Sequence, residues 1–135
     1  MTGIVLFHIT APRFSHGIDD DDEVLLKLLS IALTEEGYSV LSTADGPQGI
    51  TLYKDHQPAL VLLDLGLPTM SGIEVLRELR RFDEKAKVIV VTGYGSVESA
   101  VVAIRYGAWD YIQKPVEIDA LLKKMDTALN SVIGN

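Results

Sequence analysis

The apolar run Ala59-Leu60-Val61-Leu62-Leu63, which stops at Asp64, decides the fold class. Hydrophobicity that continues unbroken over five residues is typical of a strand buried on both faces, as in a parallel sheet covered by helices. A second run of the same kind, Val88-Ile89-Val90-Val91, stops at Thr92. The two runs therefore predict two fully buried strands of a parallel sheet.

Helical patterns alternate with these runs along the chain. Leu25, Leu28, Leu29 and Ala32 recur at intervals of three and four residues and predict a helix that stops at Gly37. A second, weaker helix is predicted to start at the turn 45–47 and to end before Pro58, and further helices over 73–79, 97–104 and 118–132. Short strands are predicted over 38–41 and 110–113. Strands that alternate with helices through short connections predict an α/β, doubly wound fold.

The start of the chain leaves the position of the first strand open. A first strand is needed just before the acidic run that begins at Asp19, but Phe14 to Ile18 is polar at alternate positions. The better strand by composition, Gly3 to Ile9, lies too early and would require an inserted loop. We expect one domain over residues 1–135, with 1–18 as an atypical N-terminal segment.

Composition excludes several classes of function. The chain has 135 residues and no Cys, which excludes disulfides, thiolate metal sites and cysteine nucleophiles. Its net charge of −7, with no basic run longer than Arg80-Arg81, argues against direct binding of nucleic acid. Because no apolar stretch approaches the length of a membrane span, we expect no membrane association and a soluble, cytoplasmic protein.

Polar residues stand where the strands end, or where the first strand is expected to end: Asp20, Asp21, Asp64, Thr92 and Lys114. In open parallel sheets, ligands bind outside the carboxyl ends of the strands. Converging carboxylates repel one another, and Mg²⁺, which prefers oxygen ligands, relieves that repulsion. An ammonium and a hydroxyl nearby would bind phosphoryl oxygens. The pattern predicts phosphoryl chemistry on a carboxylate nucleophile, although acidic residues also suit a solvated helix N-terminus.

Several motifs in order resemble the receiver domain of two-component response regulators, from about Asp20 to Val132. The intervals between Asp64, Thr92 and Lys114 are similar to those of that family. The segments that carry the resemblance are Asp20-Asp21-Asp22, Leu62-Leu63-Asp64-Leu65-Gly66-Leu67-Pro68-Thr69-Met70-Ser71-Gly72, Val90-Val91-Thr92-Gly93 and Gly107-Ala108-Trp109-Asp110-Tyr111-Ile112-Gln113-Lys114-Pro115.

The resemblance implies a flavodoxin-like sheet of five parallel strands in the order 2-1-3-4-5, here with an irregular first strand. It implies that Asp64 is the phosphoacceptor, which receives a phosphoryl group from the phosphohistidine of a sensor histidine kinase or from a phosphotransfer protein. It also implies that Asp20, Asp21, Asp64 and the backbone carbonyl of Gly66 hold Mg²⁺. A cis peptide bond is implied before Pro115.

The resemblance further assigns the switch. Lys114 would pair with the phosphoryl group, Thr92 would move to hydrogen-bond it, and Tyr111 would change rotamer. These movements would remodel the face formed by the fourth helix, fifth strand and fifth helix. Residues Ser96 to Tyr106 and Ile118 to Asn130 would then form the surface for a homodimer or another partner.

Two other functions are weighed beside this one. A pseudo-receiver, which acts as an interaction module without phosphorylation, is favoured by the odd first strand, whereas the complete set of site residues argues against it. A Mg²⁺-dependent phosphatase of the aspartyl-phosphate type needs an acid two residues after its nucleophile, where this chain has Gly66. We therefore expect a phosphoacceptor signalling domain, not an enzyme. Residues Ser96 to Leu121 most resemble receivers attached to ATP-dependent, σ54-type transcription activators.

Overall fold

The computed structural model describes residues 3–7, 20–35, 37–43, 45–65, 72–93 and 97–130. Within these ranges, five strands alternate with five helices: β1 (Gly3–Phe7), α1 (Asp20–Glu35), β2 (Ser39–Thr43), α2 (Gly46–His56), β3 (Leu60–Asp64), α3 (Gly72–Phe82), β4 (Val88–Thr92), α4 (Val97–Arg105), β5 (Asp110–Gln113) and α5 (Ile118–Leu129). None of the described helices is long and apolar enough to cross a bilayer.

The five strands form one parallel sheet in the order β2-β1-β3-β4-β5. The predicted doubly wound fold and strand order are therefore confirmed. Every residue of β3 and β4 is buried, as their unbroken apolar runs predict. Because β3 and β4 lie at or next to the centre of the sheet, the residues at their carboxyl ends are held by neighbours on both sides.

The first strand is formed by the earlier of the two candidate segments. Gly3–Phe7 pairs in parallel with Ser39–Thr43 on one side and, from Ile4 onward, with β3 on the other. The irregularity expected at this strand lies in its distance from α1, since residues 8–19 separate them, and not in its pairing. The alternative strand, Phe14 to Ile18, lies outside the described residues.

Two hydrophobic clusters cover the two faces of the sheet. Successive side chains of a strand point to opposite faces, so Val61 and Leu63 pack into one cluster while Leu60 and Leu62 pack into the other. The first cluster is completed mainly by α2 and α3, and the second by α1 and α5. Each fully buried Leu or Val contributes about 1.5–3 kcal/mol to stability, and this packing fixes where the strands end.

One glycine is required to start β5 in the right place. Gly107, which ends the α4 segment as predicted, has a φ of +101°, and a Cβ there would lie 2.6 Å from Nε of Arg80. The positive φ strains any larger residue here, and a Cβ would also displace the side chain of Arg80. The tight turn leads directly into β5 and so positions the residues that follow this strand.

Candidate functional site

Three of the residues that the sequence singled out meet at the carboxyl edge of the sheet. Asp64 is the last residue of β3, Thr92 is the last residue of β4, and Lys114 directly follows β5. The pairing places Asp64 beside Val91 and Thr92 beside Gln113. The backbone N–H of Lys114 then donates to the carbonyl of Thr92 at 2.9 Å. Adjacent parallel strands thus bring together residues that are far apart in sequence.

Asp64 and Lys114 form an ion pair in a sheltered position. Nζ of Lys114 lies 3.2 Å from Oδ2 of Asp64, and the two side chains are 25% and 11% exposed. A charge pair this far out of water interacts more strongly than a pair on the open surface. The ammonium is therefore already in place beside the carboxylate that a phosphoryl group would modify.

The hydroxyl of Thr92 is buried without a hydrogen-bond partner in the described part of the chain. The residue is fully buried. Leaving a buried hydroxyl unsatisfied costs about 1–3 kcal/mol, so such groups are rare and are found at strained or functional positions. The hydroxyl stands at the same sheet edge as Asp64 and can donate to an oxygen that enters this edge.

A close backbone contact fixes the end of β3. A Cβ at Gly72, the first residue of α3, would lie 2.8 Å from Cα of Leu65 and 3.2 Å from the carbonyl oxygen of Asp64. Only glycine allows α3 to begin so near the strand. The N–H of Leu65 also donates to Val91 at 2.9 Å. Sequence reasoning used Gly72 as part of a motif and missed this role, which the motif alone does not reveal.

The predicted metal ligands are placed only in part. Asp20 and Asp21 occupy the first turn of α1, and β1, the strand described before them, ends at Phe7. Their expected position at a strand end stays a prediction, because residues 8–19 lie outside the described part of the chain. Their side chains, and Gly66 as a whole, lie outside the described part. Among the residues described, no group of three His, Cys, Asp or Glu could hold a metal.

The predicted switch residue, Tyr111, lies on the edge strand β5 with 40% of its surface exposed. Nζ of Lys124, on α5, stands 5.9 Å from the centre of its ring. Three residues further on, the peptide bond between Lys114 and Pro115 is cis, as predicted. In this structure the tyrosine therefore sits at the surface and not in the core beside Thr92.

Helix α4 carries an apolar stripe that faces solvent. Val97, Val101 and Ile104 recur at the i, i+4, i+7 spacing of one helix face, and all three are exposed. Further exposed apolar side chains follow in the sequence, at Tyr106, Trp109 and Tyr111. An exposed apolar stripe on one helix face is typical of a site of protein contact.

The model of the response regulator receiver domain family matches residues 18–126. Among curated relatives, the transcriptional regulatory protein GlrR of Escherichia coli K12 is 38% identical over 110 residues, which are 82% of this chain and 25% of that protein. The chemotaxis protein CheY of Bacillus subtilis is 33% identical over 114 residues, 84% of this chain and 95% of that protein. The chain thus spans a quarter of GlrR but nearly all of CheY.

Solved structures agree with these matches. A CheY-like receiver domain from Methanospirillum hungatei superposes with a TM-score of 0.78 at 32% identity, covering 96% of this chain and 94% of that one. CheY in the CheX-CheY-BeF3-Mg complex of Borrelia burgdorferi gives a TM-score of 0.74 at 26% identity, with coverage of 93% and 87%. With the sheet order and the grouping of Asp64, Thr92 and Lys114, these matches show that the chain belongs to the response regulator receiver domain family.

Proposed function

We propose that this receiver domain is a phosphorylation switch in which Asp64 accepts a phosphoryl group from the phosphohistidine of a sensor kinase or from a phosphotransfer protein. The observation that carries the assignment to Asp64 is its ion pair with Lys114 at the sheet edge where the unpartnered hydroxyl of Thr92 is buried. A carboxylate nucleophile, a cation and a spare donor are what a phosphoryl group requires.

The transfer is an in-line displacement at phosphorus. A carboxylate oxygen of Asp64 forms the new P–O bond while the P–N bond to the donor histidine breaks, and the bonding electron pair leaves with the imidazole, which takes up a proton. Lys114 orients the carboxylate beforehand and then binds an oxygen of the transferred group. The chain assists its own modification in this way and has no separate substrate to turn over.

Of the predicted ligands the structure describes the carboxylate of Asp64, whose side chain is 11% exposed and whose oxygen atoms are of the kind that Mg²⁺ prefers. We propose that Asp20, Asp21, Asp64 and the carbonyl of Gly66 hold the ion. Mg²⁺, when bound, neutralises negative charge on the phosphoryl group. Asp20 and Asp21 would reach it from the first turn of α1, where acidic side chains are also favoured by the helix dipole.

An oxygen of the phosphoryl group would then accept a hydrogen bond from the buried hydroxyl of Thr92. Satisfying that hydroxyl removes a cost of about 1–3 kcal/mol, which is available to bias the domain toward a second conformation. Tyr111 would leave its surface position and follow Thr92. The face of α4, β5 and α5 would change shape, and its exposed stripe at Val97, Val101 and Ile104 suits a homodimer or an output partner.

The chain spans a quarter of GlrR, whose remaining three quarters have no counterpart in the matched region. We propose control of transcription, for which the names of GlrR and of the regulatory protein AtoC of E. coli give support. The resemblance of residues 96–121 to receivers of σ54-type activators points the same way. The net charge of −7 favours an output that does not involve direct DNA binding by this domain.

The test is the intact mass after incubation with acetyl phosphate and Mg²⁺. We expect the addition of one phosphoryl group, its absence without Mg²⁺, and its loss in Asp64→Asn, while the exposed control Asp55→Asn reacts as the wild type does. A pseudo-receiver, favoured by the long connection over residues 8–19, would give no addition under conditions in which another receiver domain reacts. That result would overturn the proposed switch.

A further inference from the structure

Three side chains of β5 and α5 form a linked group on the surface, outside the phosphoacceptor edge. The carboxylate of Asp110 accepts the backbone N–H of Tyr111 through Oδ1 at 2.7 Å and binds Nζ of Lys124 through Oδ2 at 3.0 Å. The same ammonium lies 5.9 Å from the centre of the Tyr111 ring. One cation thus bridges the carboxylate and the aromatic ring of two consecutive residues.

We propose that Lys124 is a positioning residue that holds Tyr111 in its outward orientation. Through Lys124, helix α5 would therefore lower the fraction of molecules in which Tyr111 has turned inward. The proposal rests on the proposed function, because it takes the inward movement of Tyr111 as part of the response to phosphorylation. In this arrangement α5 opposes the inward movement of Tyr111, and it also belongs to the surface that changes on phosphorylation.

The ammonium of Lys124 is held in position from two sides, by the backbone of α5 and by the carboxylate of Asp110. Lys124 belongs to a helix whose neighbouring residues Leu121 and Met125 are buried in the core, so its backbone cannot shift easily. Its ammonium is partly shielded, with 36% of the side chain exposed, and Asp110 anchors it from the strand. An anchored cation near a ring loses less side-chain entropy on contact than a free lysine.

The size of the effect follows from the strength of the contact. A cation near an aromatic ring at an exposed site shifts an equilibrium between two orientations about 2- to 5-fold. A ligand that binds only the inward state of Tyr111 has an apparent affinity proportional to the fraction of molecules in that state. Removing the charge of Lys124 should therefore raise the apparent affinity for a phosphoryl analogue by about 2- to 5-fold.

The first arm of the test follows Tyr111 itself. The chain contains five Tyr, so fluorine NMR of protein labelled with 3-fluorotyrosine gives few signals, and Tyr111→Phe assigns the one that matters. In Lys124→Met, which keeps the aliphatic stem, we expect the Tyr111 signal of the free protein to move toward its position in the protein saturated with beryllofluoride and Mg²⁺. Lys124→Arg, which keeps a cation, should restore the wild-type signal.

The second arm measures the apparent affinity for beryllofluoride with Mg²⁺. We expect tighter binding by Lys124→Met and near wild-type binding by Lys124→Arg. Lys123→Met is the matched control, because it removes the same charge from the adjacent, exposed position of α5. Asp110→Asn keeps an acceptor for the N–H of Tyr111 but weakens the anchor of Lys124, so it should shift both readouts in the direction of Lys124→Met.

The proposal is overturned if the Tyr111 signal and the beryllofluoride affinity of Lys124→Met match those of Lys123→Met while the wild type responds to beryllofluoride. An absent response in the wild type would instead count against the proposed function. The two failures are therefore distinguished by the wild-type titration, which is carried out first.

Discussion

At the scale of a single residue, the buried hydroxyl of Thr92, which has no hydrogen-bond partner in the described part of the chain, indicates most clearly that this edge of the sheet binds a ligand. A methyl group of the same shape would lose no hydrogen bond, because the described part of the chain offers the hydroxyl none. We expect Thr92→Val to leave the free energy of unfolding unchanged within about 1 kcal/mol or to raise it. Chemical denaturation measures this.

The same substitution should impair the response to phosphorylation, because the incoming oxygen loses its donor. Beryllofluoride with Mg²⁺ should bind Thr92→Val more weakly than Thr92→Ser, which keeps the hydroxyl. A loss of stability well above 2 kcal/mol in Thr92→Val would show that the hydroxyl is already satisfied in the free protein, and would contradict this interpretation.

Glycine at the start of α3 gives a second prediction at this scale. A methyl group at position 72 meets Cα of Leu65 and the carbonyl oxygen of Asp64, which cannot rotate away, so Gly72→Ala should lower the free energy of unfolding by about 1–3 kcal/mol. Gly93→Ala is the matched control, since among the described residues, its chain neighbours aside, no atom lies within 4 Å of the new Cβ. Gly93→Ala should raise the free energy of unfolding by about 0.4–1 kcal/mol, because alanine lowers the conformational entropy of the unfolded chain. Equal effects of the two changes would rule out the close contact.

At the scale of elements, α2 and α3 are joined by a buried tyrosine. The hydroxyl of Tyr53 on α2 donates to Oδ2 of Asp83, just beyond α3, at 2.8 Å, and its ring meets Phe82 edge to face. Burial first, and then the hydrogen bond and the negative charge of Asp83, raise the pKa of Tyr53 above its ordinary range. The contact therefore favours the protonated phenol in the folded state.

This gives a pH dependence with a definite sign. Because the folded pKa of Tyr53 is raised, its contribution to stability is fully present below the unfolded value of about 10 and is lost as pH rises beyond it. We expect the free energy of unfolding to fall above about pH 10, and to fall less in Tyr53→Phe than in the exposed control Tyr106→Phe. Identical alkaline slopes in the two variants would refute the assignment.

At the scale of the whole molecule, the sheet depends on a strand that lies before the segment matched by the family. That match begins at residue 18, whereas β1 occupies Gly3–Phe7 between β2 and β3. Removing residues 1–17 would leave β2 without a neighbour and one side of β3 unpaired. We expect the shortened chain to lose cooperative thermal unfolding, followed by circular dichroism, while removal of residues 1–2 alone has little effect. Cooperative unfolding of the shortened chain would mean that another segment forms the first strand.

The runs at 59–64 and 88–92 were sufficient to predict the centre of the sheet, because burial on both faces leaves a continuous apolar sequence. The same runs placed Asp64 and Thr92 at the strand ends. The position of β1 could not be settled, since it is decided by pairing with β2 and β3 and not by its distance from α1. The contact between Lys124 and Tyr111 depends on how α5 packs against β5, which no local pattern encodes.

The identity of the phosphoacceptor is the central claim, and borohydride reduction tests it most directly. Borohydride converts an aspartyl phosphate to homoserine, which peptide mass spectrometry then locates in the chain. After treatment with acetyl phosphate and Mg²⁺, we predict homoserine at position 64 and at no other aspartate, and none in Asp64→Asn or without Mg²⁺. Homoserine at Asp20 or Asp21, or phosphorylation of the intact protein that leaves Asp64 unreduced, would contradict the account.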